Sequence, residues 1–172
     1  MFDEAIHAKA RAVLDACREA GVMVAIAESC TGGLVAGALT EIAGSSDVVE
    51  RGFVTYSYES KSEMLGVPAE MIAAHGAVSE PVAEAMARGA SAKFDTDYAV
   101  AVTGIAGPAG GSPDKPIGLV YLAVAEPGTV TVRRLLLGAD APRHIIRERA
   151  AMSALNLLRS RLLRGGQQES AD

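Results

Sequence analysis

Apolar residues at Ile6, Ala10, Val13 and Cys17 recur every three to four positions. That is the period of one helix face, so the spacing predicts a first helix from Asp3 to Ala20, stopped by Gly21. Val22 to Ala27 is an unbroken apolar run with β-branched members and predicts a central strand covered on both faces. A polar turn, Glu28 to Gly33, separates it from a helical stretch from Leu34 to about Ile42, ended by Gly44. Val48 to Tyr56 reads as a second strand, Glu59 to Leu65 as a short helix, and a further helical piece begins near Pro68. Ser79 stands where it can cap a helix that has Pro81 in its first turn and runs to about Lys93. Tyr98 to Thr103 is a third strand. Ile117 to Ala125 and Thr129 to Leu136 pair as a hairpin across Glu126-Pro127-Gly128. The last helix starts near Asp140 as cap, with Pro142 in its first turn, and runs to about Leu163.

Three strands alternating with helices should be parallel, and the hairpin adds one strand of opposite sense. The expected fold is therefore α/β: a three-layer α/β/α arrangement around a mixed five-stranded sheet with one antiparallel strand. If strand one lies between strands two and three, the winding reverses there, and ligands bind at such a point beyond the carboxyl ends of the strands. Residues 1–164 form one domain in this reading, and 165–172 a flexible tail.

Composition narrows the class. With 49% hydrophobic residues but only 4% aromatic ones in 172, the core must be built from small and branched aliphatic side chains. A formal charge of −5 argues against a grip on nucleic acid. Half of the 16 Lys and Arg residues fall between Arg133 and Arg164, which leaves room for a small phosphorylated ligand or simply a solvated helix face. Cys17 and Cys30 form no ligand-like pair, and no apolar run reaches the roughly 20 residues of a membrane span. These features fit a soluble, reduced, cytoplasmic protein without a signal peptide, membrane partner, metal or cofactor, and they allow a homo-oligomer.

Candidate chemistry gathers at the first turn. Ser29 is followed by Thr31, Gly32 and Gly33, whose backbone N–H groups at a helix start can hold an oxyanion; a helix cap followed by permissive glycines gives the same string. Glu28 opens this turn as a substrate contact. The nucleophile elbow G-x-S-x-G and the phosphate loop G-x-x-x-x-G-K-[ST] are both absent. None of His7, His75 and His144 stands in a pattern that suggests a triad. Lys61 follows strand two and would reach the same sheet edge as Ser29 if those strands are neighbours. At pH 7 an ordinary lysine is neutral in roughly one molecule in 2,500, so a basic role needs burial. Tyr56 can orient that lysine or the substrate, or simply pack at a strand end. Gly104 to Pro116 holds four glycines and three prolines, too many for regular structure. Thr103, Gly104, Gly107 and Gly110 are its candidate phosphate or ribose contacts. Arg143 and Arg147, one helical turn apart, can meet a phosphate or remain surface charges.

Four segments, Ala27 to Gly33, Glu50 to Ser57, His75 to Pro81 and Gly104 to Pro108, together resemble the CinA C-terminal domain family. The resemblance runs from about Ala5 to Leu163. That family includes the nicotinamide mononucleotide deamidases, so the resemblance implies a three-layer fold and hydrolysis of nicotinamide mononucleotide to nicotinic acid mononucleotide and ammonia, in pyridine-nucleotide salvage. It places the family's serine and lysine on Ser29 and Lys61 and implies no metal. Tyr58 stands where many members have Asn. Ala141 and Pro142 separate Asp140 from Arg143, where the family pattern has Asp directly before the arginine. A non-catalytic module that binds a nucleotide or a protein, linked to competence or DNA damage, is the alternative.

Overall fold

A computed structural model describes residues 2–168. In chain order the elements are α1 (Glu4–Ala20), β1 (Val24–Glu28), α2 (Leu34–Thr40), a 3-10 turn (Ser45–Asp47), β2 (Val49–Val54), α3 (Tyr58–Leu65), α4 (Ala69–His75), α5 (Glu80–Phe94), β3 (Tyr98–Gly104), β4 (Leu119–Glu126), β5 (Thr129–Leu136) and α6 (Arg143–Gln168). The sheet order is β2-β1-β3-β4-β5. β1 pairs in parallel with β2 and β3, whereas β4 is antiparallel to both β3 and β5. One strand of five, β4, thus runs against the rest, in an α/β fold with helices on both faces. The reversal of winding falls at β1, at whose carboxyl end Ser29 stands.

The two faces are built from residues of different size. Val24, Ile26, Val100, Val102, Val120, Leu122 and Val124 point into a core shared with α1, α2 and α6. Ala25, Ala27, Ala99, Ala101, Ala123 and Ala125 alternate with them and face α5. Alternation with period two is the strand rule. Its use here is to set α5, itself lined by Ala83, Ala87 and Ala90, close against the sheet. Gly89 extends that close packing to α3, since a Cβ added there would lie 1.8 Å from the Leu65 carbonyl oxygen.

Several element ends differ from the sequence expectation, each for a local reason. β2 stops at Val54 instead of Tyr56, because Ser57 leaves the strand to cap α3 by accepting from the Ser60 N–H at 3.0 Å. α2 ends at Thr40, short of Ile42. Ser79 sits at the start of α5, but its hydroxyl donates backward to the Gly76 carbonyl at 2.8 Å and caps nothing. α6 begins at Arg143, with Pro142 preceding the helix, so Asp140 lies in a turn before it and is not the cap. α6 also continues to Gln168, past the expected end near Leu163. Residues 165–168 of the expected tail are therefore helical, and 169–172 lie outside the described residues.

Candidate active site

Ser29 follows the last residue of β1, and the alternation that sends Glu28 toward α2 sends Ser29 toward α3. Lys61 lies on α3, one turn in from its cap, and is 1% exposed. Its Nζ stands 3.1 Å from Ser29 Oγ, 2.5 Å from the Thr55 carbonyl oxygen and 3.5 Å from that of Ser57. Burial lowers its pKa to about 8, because a charged amine loses hydration that these neighbours only partly replace. The three neighbours also fit a neutral amine well. Carbonyl oxygens only accept, so they take its two N–H bonds and leave the lone pair toward the one neighbour with a proton to give, the Ser29 hydroxyl.

The turn that follows does not offer the donors expected of it. The Gly33 N–H is taken by Glu28 Oε2 at 3.0 Å, and the Gly32 N–H by the Ser29 carbonyl at 3.0 Å. Gly32 and Gly33 are therefore corrected from oxyanion donors to turn-formers, with φ of 60° and 97°, values that favour glycine. Ser29's own N–H is spent on the Val102 carbonyl. The N–H groups left in the turn are those of Cys30 and Thr31. Cys30 had no place among the expected donors, and nothing in a side-chain reading can single out a backbone N–H. The Cys30 thiol itself is buried and pushed up to about 12 by desolvation, which makes it a packing group.

Glu28 is also reassigned. Its carboxylate, 1% exposed, accepts from the N–H groups of Gly33, Val35 and Ala36 at 3.0, 3.1 and 2.8 Å. It fills the positive end of α2, which leaves it no part in contacting a substrate. Thr103 is 1% exposed and donates to the Ala77 carbonyl at 2.8 Å. Its hydroxyl proton thereby ties the end of β3 to the segment between α4 and α5. Gly104 packs against the same turn, since a Cβ there would meet Val120, the Leu119 carbonyl and the Cys30 sulfur at 2.7 to 3.1 Å. Thr103 and Gly104 thus shape the site from behind. Gly110 lines a shallow hollow of about 430 Å³ with Pro108, Pro116 and Ile117, a hollow to which neither Ser29 nor Lys61 contributes.

The two arginines separate in role. Arg147 on α6 donates from Nε to the Cys30 carbonyl at 3.1 Å and from Nη2 to the Thr31 carbonyl at 2.8 Å. It holds the nucleophile turn and so departs from the expected phosphate contact. Because C=O and N–H of one peptide point in opposite directions, drawing the Cys30 carbonyl to Arg147 turns the Thr31 N–H away from α6. Arg143 is exposed and bridges the Gly107 carbonyl at 2.7 Å and the Tyr56 hydroxyl at 2.8 Å. Tyr56 therefore meets Arg143 and not Lys61. The long loop is held as well: Ile105 exchanges hydrogen bonds with Leu119 and Gly118, and Lys115 reaches the His75 carbonyl. Tyr58 lines a groove of about 590 Å³ between α3 and α4 with Ile72 and Ala73.

The side-chain hydrogen bond of Ser29 goes to Lys61, and the histidines lie elsewhere, on α1, at the end of α4 and at the start of α6. A hydroxyl and a buried amine at hydrogen-bond distance, beside N–H donors in a tight turn, can carry nucleophilic acyl transfer.

Known proteins share this arrangement of elements. The CinA C-terminal domain family matches residues 6–162. A CinA-like protein of Mycolicibacterium gilvum is 55% identical over 148 residues, 86% of this chain and 35% of that protein. Another from Gemmatimonas aurantiaca is 52% identical over 147 residues, 86% of this chain and 34% of its own length. The chain thus spans about a third of the length of the curated relatives it matches. Among solved structures, the competence/damage inducible protein CihA from Agrobacterium tumefaciens superposes with a TM-score of 0.89 at 50% identity, covering 92% of this chain and 96% of that one. A CinA superfamily protein from Escherichia coli gives 0.86 at 30% identity, with 92% of each chain covered. By family match, sequence identity and fold alike, the chain belongs to the CinA C-terminal domain family.

Proposed function

We propose that this protein is an amidohydrolase that converts nicotinamide mononucleotide to nicotinic acid mononucleotide and ammonia, in pyridine-nucleotide salvage. The observation that carries this reading is the 3.1 Å approach of the buried Lys61 amine to Ser29 Oγ. In the proposed reaction neutral Lys61 takes the hydroxyl proton as Oγ bonds to the carboxamide carbon, and the C=O pair moves onto oxygen. The N–H groups of Cys30 and Thr31 stabilise that oxyanion. Collapse of the tetrahedral centre breaks the C–N bond, and Lys61 returns the proton to the departing nitrogen, releasing ammonia. The same amine then takes a proton from water as the water oxygen bonds to the ester carbon; the C–Oγ bond breaks, Lys61 returns that proton to Ser29 Oγ, and the acid released ionises to the carboxylate. The electron-poor pyridinium ring of this substrate makes its amide easier to attack than an ordinary one. Arg143, exposed beside Tyr56 and Gly107, is the proposed contact for the substrate phosphate.

The test is ammonia release from nicotinamide mononucleotide by purified protein with a chelator present. Ser29→Ala and Lys61→Ala should each lower kcat by roughly 10³-fold or more while leaving the melting curve cooperative. Full activity in a folded Lys61→Ala protein would end the proposal. The names of the solved relatives speak of competence and damage induction, and a non-catalytic module would bind nucleotide without turnover and be indifferent to Ser29→Ala.

A further inference from the structure

Behind the nucleophile turn, on the face of the sheet away from α3, lies a cleft of about 280 Å³ between the starts of α1, α2 and α6. Phe2, Ile6 and Leu34 give it hydrocarbon walls, and Arg147 and His144 its basic groups. Arg147 is shared between this cleft and the turn. A guanidinium presents its five N–H donors as two planar forks. The fork of Nε and Nη2 is spent on the carbonyls of Cys30 and Thr31. The end-on fork of Nη1 and Nη2 remains, and its natural partner is a planar group with two acceptor oxygens. Asp3 and Glu148 also line the cleft, so a dianion such as phosphate meets repulsion there while a single carboxylate on an apolar body meets less.

We propose that this cleft binds a small aromatic carboxylate, its two oxygens on the free fork of Arg147 and its ring among Phe2, Ile6 and Leu34, and that occupancy slows the reaction at Ser29. The binding half stands on the cleft alone. The regulatory half rests on the amidohydrolase reading. The physical link is charge: Arg147 brings its cation against the turn where negative charge collects during acyl transfer, and a carboxylate paired with that cation cancels part of its field. The ligand thereby binds the resting enzyme better than the transition state, which is the differential affinity that inhibition from a distance requires.

Benzoate is the probe. Titrated into ¹⁵N-labelled protein, it should shift the amides of Phe2 to Ile6, Leu34 and His144 to Ala151, with a Kd on the order of 1 mM. Phe2→Ala should weaken that binding about tenfold, and Glu148→Gln should tighten it several-fold by removing like charge at the rim; both should keep wild-type turnover without benzoate. In the ammonia assay benzoate should lower kcat and leave KM unchanged. Unshifted cleft amides, or shifts confined to Tyr56 and Arg143 with competition against substrate, would overturn the site. Saturable cleft binding with unaltered kcat would overturn the regulatory half. A protein without turnover that still binds benzoate in the cleft would reject the amidohydrolase reading, and the regulatory half with it, and keep the binding half.

Discussion

Among the fully buried side chains Lys61 is the largest, and its cost and its use have the same origin. A pKa lowered to about 8 makes the amine neutral in about one molecule in ten at pH 7. If that amine is the base, kcat/KM for amide hydrolysis should rise with pH along a limb centred near 8 and level off above it. The unfolded chain holds this proton up to about 10.4, so between these values the unfolded state binds more protons and stability rises with pH. Below about 8 both states are protonated and that stabilisation is absent. Measured by urea unfolding, wild type should therefore gain up to about 3 kcal/mol on Lys61→Met between pH 8 and 10.5. A constant difference across that range would mean that the amine is hydrated in the folded protein. Sequence alone placed Lys61 after strand two but could not show the burial that a basic role needs, because burial is a property of what packs over it; only the family resemblance raised it further. Ser29 was easier to read, since a polar turn between an apolar run and a helix is a local pattern.

At the level of elements, the site is held by backbone partners that side-chain patterns do not announce. Glu28 read as a substrate contact, yet it caps α2 through N–H groups five, seven and eight residues onward, a relation that exists only once the turn has its shape. Glu28→Gln keeps the size but turns an N–H₂ donor toward helix donors, and a loss of about 2–3 kcal/mol in denaturant unfolding is expected. Gly89 on α5 makes the opposite case. Alanine is the better helix former by about 1 kcal/mol, but here its methyl would enter the Leu65 backbone at 1.8 Å. Gly89→Ala should destabilise by about 1–3 kcal/mol and, by displacing the end of the helix that carries Lys61, lower turnover as well; a melting temperature equal to or above wild type would contradict the close contact. The alternation of Ala with Val, Ile or Leu in β1, β3 and β4 was present in the sequence but merged into apolar runs, since both sizes count as apolar. What distinguishes them is which helix layer comes close.

Over the whole molecule, the sheet order brings four distant segments to one edge: the turn after β1, the segment from Thr55 to Lys61, the loop after β3 and the start of α6. Arg143 joins two of them by bonding Tyr56 and Gly107, and its exposure leaves it available to an incoming anion. Arg143→Ala should raise KM for nicotinamide mononucleotide by about tenfold or more while changing turnover of nicotinamide riboside, itself a much poorer substrate, very little. Equal effects on both substrates would assign Arg143 to holding the loop instead of reading a phosphate. No helix among the described residues is long and apolar enough to cross a membrane.

Periodicity and punctuation along the chain were enough for the α/β class, the single antiparallel strand and the polar turn with its serine, because each depends on neighbours in sequence; that β1 lies between β2 and β3 was settled only by the sheet order. Which face Ser29 joins, that a lysine 32 residues away loses its water beside it, that Arg147 serves the turn and Arg143 the mouth, and that Cys30 and Thr31 hold the unspent N–H groups were decided by tertiary packing. Desolvation and hydrogen-bond commitment arise only when separate segments close on one another.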